Sequence, residues 1–331
     1  MVITKTPFRI SFFGGGTDYP RWYRKNGGAV LSATIDKYCH IVCRHLPNFF
    51  DHNFLIRYAR TEMVKRVQDI KHPSVRACLQ FFNHTSGLEL VHTGDLPARS
   101  GLGSSSTFTV GLLHALYALR GEVISKQRLA RDAIHIEQNL IGEHVGSQDQ
   151  TAAAFGGFNH ITFGGPSDIL VESIPLSQSA LIQLEKSLML FFTGVSRTAS
   201  VIAEDQLKRI GKKADEYLRM LQLVSEAHAL LSGAELDCRA FGMLLHEAWL
   251  VKKRFSSRIS SPLVDDTYAA AREAGAIGGK VLGAGGGGFM LFCVPLARQD
   301  AVKKRLRKFM HVPFHFEHLG SHIINNTTSS L

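Results

Sequence analysis

The chain has 331 residues, of which 45% are apolar and 20% are charged, and its formal net charge is +10. This length and apolar content allow two domains with sizeable cores and exclude a disordered chain. The excess of positive charge favours anionic partners, namely phosphorylated small molecules, nucleic acid or an anionic membrane.

Cysteine usage and the apolar runs narrow the class of protein further. The five cysteines include no Cys-x-x-Cys pair, so we expect reduced thiols rather than a disulfide framework or a zinc site. Lys5 and Arg9 interrupt the N-terminal apolar stretch, which argues against a signal peptide. The longest apolar run, residues 289–294, is far shorter than the ~20 residues that a membrane span needs. These features predict a cytoplasmic protein without a membrane partner.

The first half of the chain mixes predicted strands and helices. β-branched residues and alternation indicate strands, and apolar residues at every third or fourth position indicate helices. Ser125 is a candidate N-cap for the second of these helices, which extends to about Gly142. Strands are predicted at 2–13, at 27–46 as one or two strands, and at 156–163. A further strand starts at residue 88 and leads into a Gly/Ser loop that ends at residue 106. The helices are predicted at 107–121 and from residue 125.

The pattern changes after residues 164–168, where longer helices begin. The second half is predicted to hold a strand at 187–193, helices at about 197–231, 238–254, 263–274 and 297–309, and two strands that flank a glycine run near 283–288. We therefore predict an α+β protein with an N-terminal domain over 1–175 and a C-terminal domain over 176–331.

The strongest chemical signal is the loop "LPARSGLGSSS", which opens directly into a helix. Glycines let the backbone approach a ligand, and the free N–H groups and dipole of a helix N-terminus attract phosphate. The loop is not a Walker A motif, because no Gly-Lys-Ser/Thr stands at the required spacing. A serine-rich N-cap without a ligand is the alternative. The predicted phosphate-binding residues are Pro97, Ser100, Gly101, Leu102, Gly103, Ser104, Ser105 and Ser106.

A second glycine cluster, "GAGGGGF" at 283–289, formally matches the dinucleotide fingerprint G-x-G-x-x-G. A dinucleotide loop must open a helix, but the residues that follow here indicate a strand. We interpret the cluster as a glycine turn between two strands that supports a ligand through its backbone, and we assign Gly285, Gly286 and Gly287 to the substrate side.

Two carboxylates follow the phosphate loop in sequence. Glu137 is predicted to lie within a helix, and Asp149, 12 residues later, after its end. Acidic groups beside a phosphate site suggest one Mg²⁺ ligand and one base or orienting group. Solvent-facing carboxylates are the alternative. The stretch "SFFGGGTDYP" at 11–20 sets bare backbone beside one more carboxylate, which suits either a tight turn or a site for a hydroxylated ligand.

Taken together, "PFRISFFGGGTDY", "LPARSGLGSSS" and "VLGAGGGGF" resemble, in this order and spacing, the three motifs of the GHMP small-molecule kinases. Within that superfamily, "GSQDQTAAAFGGFNHITF", "FFTGVSR" and "LLHEAWLVKKRFS" resemble the D-glycero-D-manno-heptose 7-phosphate kinase branch, with fucokinase-like sugar-1-kinases as the nearest alternative. The resemblance implies an N-terminal domain like ribosomal protein S5 domain 2, a ferredoxin-like C-terminal domain and an active site between them.

The resemblance also implies roles for single residues. ATP would lie on the loop 97–107, with Mg²⁺ held by Ser105, aided by Ser104, and by Glu137. Asp149 would take or orient the proton of the acceptor hydroxyl, and Arg9 would keep this carboxylate ionised. The sugar site would include Gly15, Gly16, Thr17, Asp18 and Tyr19.

Substrate choice is where the sequence departs from galactokinases, which carry Glu and His where Gly15 and Gly16 stand here. The loss of two side chains argues against plain galactose and is compatible with a larger heptose phosphate. Cations that could hold the substrate phosphate are Arg21, Arg24, Lys25, Arg197 and Lys253.

The partners implied are ATP and a sugar phosphate, and the sequence leaves a homodimer open. No RNA-binding motif or recognition helix is apparent, so we expect no nucleic-acid partner. The stretch 47–87 is expected to contribute to an adenine pocket. A non-catalytic sugar or nucleotide sensor of the same fold is the rival interpretation, and the complete set of Arg9, Ser105, Glu137 and Asp149 argues against it.

Overall fold

A computed structural model describes residues 1–165, 168–194, 199–233 and 235–327. Its strands form two separate sheets. The larger sheet contains β1 (Val2–Phe13), β2 (Gly28–His45), β3 (Phe54–Arg57), β4 (Thr61–Val64), β5 (Leu88–Gly94), β6 (Phe158–Phe163), β7 (Ile169–Ser173), β12 (Phe316–Glu317) and β13 (His322–Asn326). The smaller sheet contains β8 (Leu188–Phe192), β9 (Gly278–Val281), β10 (Phe289–Cys293) and β11 (Met310–His311).

The helices connect these strands and cover both sheets. They are α1 (Pro20–Asn26), α2 (Pro73–Phe81), α3 (Ser104–Leu119), α4 (Lys126–His135), α5 (Gln148–Phe155), α6 (Gln178–Ser187), α7 (Ala199–Arg209), α8 (Ala214–Leu231), α9 (Cys238–Lys253), α10 (Pro262–Glu273) and α11 (Gln299–Arg305). A π-helical turn, Ile136–Ile141, extends α4, and short 3₁₀ turns occupy Val67–Asp69, Ile210–Lys212 and Leu296–Arg298.

The smaller sheet is ferredoxin-like. Its strand order is β11-β8-β10-β9, and every pair is antiparallel. Along the chain, one strand, a set of helices, two strands, a helix and a last strand follow each other, which is the split βαβ arrangement. The predicted α+β architecture of two domains is confirmed. The predicted boundary between residues 175 and 176 stays a prediction, and the C-terminal strands β12 and β13 pair with β2 and β1 of the larger sheet.

Most predicted elements exist, and the differences have local causes. The predicted strand at 27–46 is one strand, and Ser125 caps α4 by accepting a hydrogen bond from the Arg128 amide at 3.2 Å. The predicted helix at 197–231 starts outside the described residues and is divided into α7 and α8, because Lys213 adopts a non-helical conformation. Asp149 follows the end of the helix that contains Glu137, as predicted, but it also lies in the first turn of a short helix, α5, that was not predicted.

Aromatic side chains join the two halves of the structure. Phe12 and Phe13 of β1 pack edge-on against Phe241 of α9, with ring centroids 5.6 and 5.5 Å apart. Tyr217 of α8 lies between Trp22 and Phe255, at centroid distances of 4.8 and 4.1 Å. All six of these side chains are almost fully buried, and the contacts of Phe12 and Phe13 with Phe241 hold β1 firmly against α9. In the described part of the chain, none of the helices is both long and apolar enough to cross a membrane.

The contact between α9 and β9 depends on a glycine. A Cβ built on Gly278 would lie 1.9 Å from the carbonyl oxygen of Gly242, so only a bare Cα fits between the helix and the strand. The same approach brings the rest of β9, including Lys280, under β1.

We predict that Gly278→Ala lowers the free energy of unfolding by about 1–3 kcal/mol, because the backbones must move apart to admit a methyl group. Urea denaturation measures the change. Gly211→Ala is the matched control, since a Cβ at Gly211 meets nothing within 4 Å among the described residues. Equal stabilities of the two variants would contradict the close approach of α9 and β9.

Candidate active site

An ion pair between β1 and α5 forms the centre of the candidate site. The Arg9 guanidinium donates through Nε to Asp149 Oδ1 and through Nη2 to Asp149 Oδ2, both at 2.7 Å, which is a bidentate geometry. Its third nitrogen, Nη1, donates to the Gly101 carbonyl at 2.9 Å. The Arg9 side chain is 3% exposed, whereas that of Asp149 is 26% exposed. The carboxylate therefore faces a cleft while its cation is buried behind it.

Local irregularities of β1 flank Arg9. The pairing of β1 with β2 shifts register between Pro7 and Arg9, and again between Ser11 and Phe13. Such bulges re-aim side chains near functional sites. The Arg9 amide also donates to the Leu102 carbonyl at 3.2 Å, which ties β1 to the glycine loop that precedes α3.

The predicted phosphate loop has the backbone conformation that its glycines suggested. Gly101 and Gly103 have positive φ angles of 93° and 78°, and Gly103 stands at the N-terminus of α3. Ser104 Oγ accepts a hydrogen bond from the Arg99 amide at 3.0 Å, while the Ser105 side chain is exposed. The first residue of the predicted set, Pro97, is exposed, whereas Ser100 and Leu102 are buried.

The third glycine motif packs directly on this loop. A Cβ on Gly283 would lie 2.6 Å from the Gly101 Cα, and one on Gly288 would lie 2.3 Å from the Ser100 carbonyl oxygen. The Phe289 amide donates to that same Ser100 carbonyl at 3.0 Å. These glycines are therefore required for the two loops to touch.

The three glycines assigned to the substrate side lie in the middle of this third motif. A Cβ on Gly285 would lie 2.6 Å from the Ile259 carbonyl oxygen, and the Gly286 amide donates to that oxygen at 2.8 Å. Gly287 is buried beside them. The contacts of Gly285 and Gly286 are with the loop after α9, and a substrate role for Gly285, Gly286 and Gly287 stays a prediction.

Glu137 is fully buried in the π-helical turn after α4, a distortion that is frequent at functional sites. Its Oε2 accepts from Ser106 Oγ at 2.7 Å and from Gln150 Nε2, while Oε1 has no partner among the described residues. Burial raises the pKa of Glu137 to about 7. The hydroxyl beside this carboxylate belongs to Ser106 and not to the predicted Ser105.

The donor set around Glu137 suits a hard cation. A carboxylate oxygen without a partner and a serine hydroxyl are the oxygen ligands that Mg²⁺ prefers, and both lie at the first turn of α3. Within the described ranges, no group of three or more His, Cys, Asp or Glu side chains forms a metal cluster, so a cation here would take its other ligands from a bound phosphate or water. The metal roles of Glu137 and Ser105 stay predictions.

Asp18 of the first glycine motif is 3% exposed and is held from two sides. Its Oδ1 accepts from the Gly16 amide at 2.8 Å, and its Oδ2 accepts from the Gln148 amide at 3.4 Å. Burial raises the pKa of Asp18, and the nearby charge of Asp149 adds to the effect. A Cβ on Gly146 would lie 1.8 Å from Asp18 Oδ2, so the loop before α5 needs a glycine there.

The residues on either side of Asp18 are both buried. Thr17 is fully buried, its one hydroxyl proton lies between the Gly14 and Ala29 carbonyls, and its oxygen accepts from the Ala29 amide at 3.1 Å, so the hydroxyl is engaged by the backbone. Tyr19 is 8% exposed and precedes α1. The hydroxyl of Thr17 thus stabilises the turn, and a substrate role for Thr17 stays a prediction.

Gly15 and Gly16, both predicted for the sugar site, face different environments. A Cβ on Gly15 would lie 3.3 Å from Lys252 Nζ and 3.6 Å from Ser11 Oγ, which are both polar groups. A Cβ on Gly16, where φ is +111°, would lie 2.9 Å from the Phe255 ring. Only Gly15 therefore borders a polar space, and Gly16 is needed for packing.

The structure adds Lys252 to the candidate residues. Lys252 ends the buried stripe of α9 that includes Phe241, Leu245 and Trp249, and it is 5% exposed. The sequence "FGMLLHEAWLVKK" could have identified this residue, because the spacing places a lysine on the apolar face of the helix. A buried ammonium there needs a polar or charged partner within the protein. The residue after it, Lys253, donates to Asp265 at 3.2 Å instead.

The remaining cations proposed for a substrate phosphate are not brought to this cleft by any described contact. Arg21, Arg24 and Lys25 are exposed on α1, whose buried side chains are Trp22 and Tyr23. Arg197 lies outside the described residues.

Comparisons with known proteins agree with this geometry. Two family descriptions match the chain, GHMP kinases N terminal domain over residues 65–157 and GHMP kinases C terminal over residues 227–312. The D-glycero-alpha-D-manno-heptose 7-phosphate kinase of Campylobacter jejuni is 30% identical over 316 residues, which cover 92% of this chain and 93% of that protein. The galactokinase of Pyrococcus furiosus is 27% identical over 87% of each chain.

A solved structure extends the similarity to three dimensions. The crystal structure of a D-glycero-D-manno-heptose 1-phosphate kinase from Bacteroides thetaiotaomicron matches with a TM-score of 0.80 at 25% identity, covering 98% of this chain and 99% of that chain. The two heptose kinase names differ in the position of the phosphate on the sugar.

We predict that Glu137→Gln changes the pH dependence of stability. A carboxyl whose folded pKa is raised favours the folded state below its ordinary pKa of 4.5, and this contribution is lost as the pH rises to about 7. Melting temperatures of the wild type and of Glu137→Gln are measured without nucleotide or divalent metal from pH 4.5 to 8. The melting temperature of the wild type should fall relative to that of the variant up to about pH 7, and above this pH the difference should stay constant. A difference that does not change with pH would contradict the burial of an ionisable Glu137.

Proposed function

The chain belongs to the GHMP kinases, and from that membership we propose that it transfers the γ-phosphoryl group of ATP to the C1 hydroxyl of D-glycero-D-manno-heptose 7-phosphate, giving the 1,7-bisphosphate. The observation that carries the proposal is the bidentate Arg9–Asp149 pair at the glycine loop before α3. The heptose substrate is supported by the 30% identity to a heptose 7-phosphate kinase over 92% of the chain.

The geometry supports separate roles for the residues of the site in this reaction. The amides of the loop around Gly101 and Gly103, with the N-terminus of α3, would hold the phosphates of ATP. Asp149 would accept the proton of the sugar hydroxyl as its oxygen attacks the γ-phosphorus. Arg9, engaged with Asp149 and Gly101, would fix the orientation of the carboxylate. Asp18 would accept hydrogen bonds from sugar hydroxyls.

The transfer depends mainly on positioning and on electrostatic stabilisation, because its transition state is loose. We propose Mg²⁺ as the cofactor, held by Glu137 with the serine hydroxyls of the first turn of α3. When bound, this ion would offset the negative charge of the ATP phosphates. A cytoplasmic location, a homodimer and the absence of nucleic-acid partners stay predictions.

A panel of acceptors tests the proposal. The purified protein is incubated with ATP, Mg²⁺ and, in separate reactions, D-glycero-D-manno-heptose 7-phosphate, the corresponding 1-phosphate, galactose and fucose, and ADP release is measured. We expect the highest kcat/KM with the 7-phosphate and a new anomeric phosphate in the ³¹P NMR spectrum of the product. Preference for the 1-phosphate, whose kinase is a structural neighbour of this chain, or for galactose would replace the proposed substrate. Absence of ADP release with any acceptor would favour the sensor.

We predict that Asp149→Asn reduces kcat by ~10²–10⁴-fold, because the amide keeps the shape of the side chain but cannot accept a proton. The Kd for ATP, measured by titration calorimetry, should remain within about threefold of the wild-type value. Asp265→Asn, which alters a carboxylate paired with Lys253, is the control. A kcat of Asp149→Asn within about threefold of wild type would remove this residue from proton transfer.

We predict that Gly15→Ala raises KM for the sugar phosphate more than KM for ATP, since its methyl group would fill the space beside Lys252 and Ser11. The matched variant Gly16→Ala should lower the melting temperature instead, because φ is positive there and Phe255 is in the way. Steady-state kinetics and thermal unfolding of both variants separate the two effects. An unchanged KM for the sugar phosphate in Gly15→Ala would show that Gly15 does not border the substrate.

A further inference from the structure

Lys252 carries a buried charge that the contacts within the protein only partly satisfy. Its side chain reaches the cleft from the last turn of α9, and Nζ donates to the Gly283 carbonyl at 2.7 Å. An ammonium has three N–H donors, and within the described residues this is the one hydrogen bond that Lys252 makes. Burial of an incompletely paired ammonium is costly, so the surroundings of its other donors matter.

The other donors face a small polar space next to Gly15. The position of a Cβ on Gly15 lies 3.3 Å from Lys252 Nζ, 3.6 Å from Ser11 Oγ and 3.7 Å from Gln148 Nε2. Ser11 donates to Gln148 Oε1 at 2.7 Å, which orients the amide so that its nitrogen points to the same space. An ammonium and an amide N–H group directed at one point suit a negatively charged oxygen.

This space lies where the phosphate donor and the acceptor must meet. Gly283, which accepts from Lys252, touches Gly101 of the loop before α3, and Gly15 belongs to the motif that contains Asp18. The charges of Asp18 and Asp149 both act on the Lys252 ammonium and favour its protonated form. The ammonium is therefore placed between the loop assigned to ATP and the residues assigned to the sugar.

The other buried cations at this point are already engaged. Arg9 directs Nε, Nη1 and Nη2 at Asp149 and Gly101, and Lys280 Nζ donates to the Ser11 and Phe12 carbonyls at 2.8 and 2.7 Å. Lys280 thus uses two of its three N–H donors and Lys252 only one, so Lys252 is the buried lysine of this cluster that retains more donors for a ligand.

We propose that Lys252 is a further catalytic residue, whose ammonium contacts the oxygens of the phosphoryl group during its transfer; this inference rests on the proposed function. In that step the acceptor hydroxyl oxygen forms a bond to the γ-phosphorus, and its proton passes to Asp149. The bond between the γ-phosphorus and the bridging oxygen breaks, and ADP leaves with the bonding electrons. Lys252 stabilises the charge on the transferred group, as fixed cations do in phosphoryl transfer.

The ionisation of Lys252 gives a second readout. Burial lowers the pKa of Lys252 to about 8, the charge of Arg9 adds to this effect, and the charges of Asp18 and Asp149 oppose it. Lys280, on β9, is the remaining charged group that acts on this cluster. Since kcat/KM reports groups in the free enzyme, it should fall as the pH rises through about 8.

Lys252→Met tests the proposal, with Lys253→Met as the matched control, because Lys253 is the next residue and pairs with Asp265 instead. We expect kcat of Lys252→Met to fall by ~10²–10³-fold. The KM for the sugar phosphate and the Kd for ATP should change by less than about threefold. We also expect the fall of kcat/KM above pH 8 to be present in the wild type and in Lys253→Met but absent in Lys252→Met.

Other results overturn the proposal. A kcat of Lys252→Met within about threefold of wild type, a rise in KM alone, or a high-pH fall that both lysine variants share would show that Lys252 has a structural or ground-state role. If Lys252→Met does not fold, Lys252→Gln is measured in the same way, because it keeps a donor for the Gly283 carbonyl. Failure of the proposed function is distinguishable, since the wild type would then release no ADP with the heptose phosphate.

Discussion

The bidentate pair between Arg9 and Asp149 is the interaction on which the candidate site depends. It joins three segments that are far apart in sequence: β1, the loop before α3 through the Gly101 carbonyl, and α5. Burying an arginine costs free energy unless its donors are used, and here Asp149 and Gly101 use its three nitrogens. The pair therefore fixes the distance between the loop assigned to ATP and the carboxylate assigned to the acceptor hydroxyl, and it leaves one face of Asp149 open to the cleft.

Close backbone contacts build the rest of the site around this pair. Gly283 and Gly288 allow the third motif to touch Gly101 and Ser100, and Gly146 leaves room for the Asp18 carboxylate. Once these loops are in contact, the last turn of α9 brings Lys252 into the same cleft. The active site proposed here is a junction between both sheets, so its geometry depends on the packing of α9 as much as on the motifs themselves.

The sequence predicted those elements of the fold and of the site that depend on local residue patterns. Alternation located β1, Ser125 marked the start of α4, and the glycine–serine loop before α3 was recognisable from its composition. Contacts between distant segments were not predictable from such signals. The difference between Gly15 and Gly16 depends on which one faces Phe255, and the choice of Ser106 beside Glu137 depends on the rotation of α3. The short helix α5 was missed because "QDQTAAAF" has no clear apolar stripe.

A double-mutant cycle on kcat tests most directly whether Arg9 acts through Asp149. Arg9→Met, Asp149→Asn and the double variant are measured with saturating ATP and the acceptor that the wild type prefers, and folding is checked by thermal unfolding. Because Arg9 is proposed to orient Asp149 and to do no separate chemistry, the double variant should be no more than about threefold slower than Asp149→Asn alone. Rate losses that multiply in the double variant would show that Arg9 acts independently of Asp149 and would contradict the central role given to the pair.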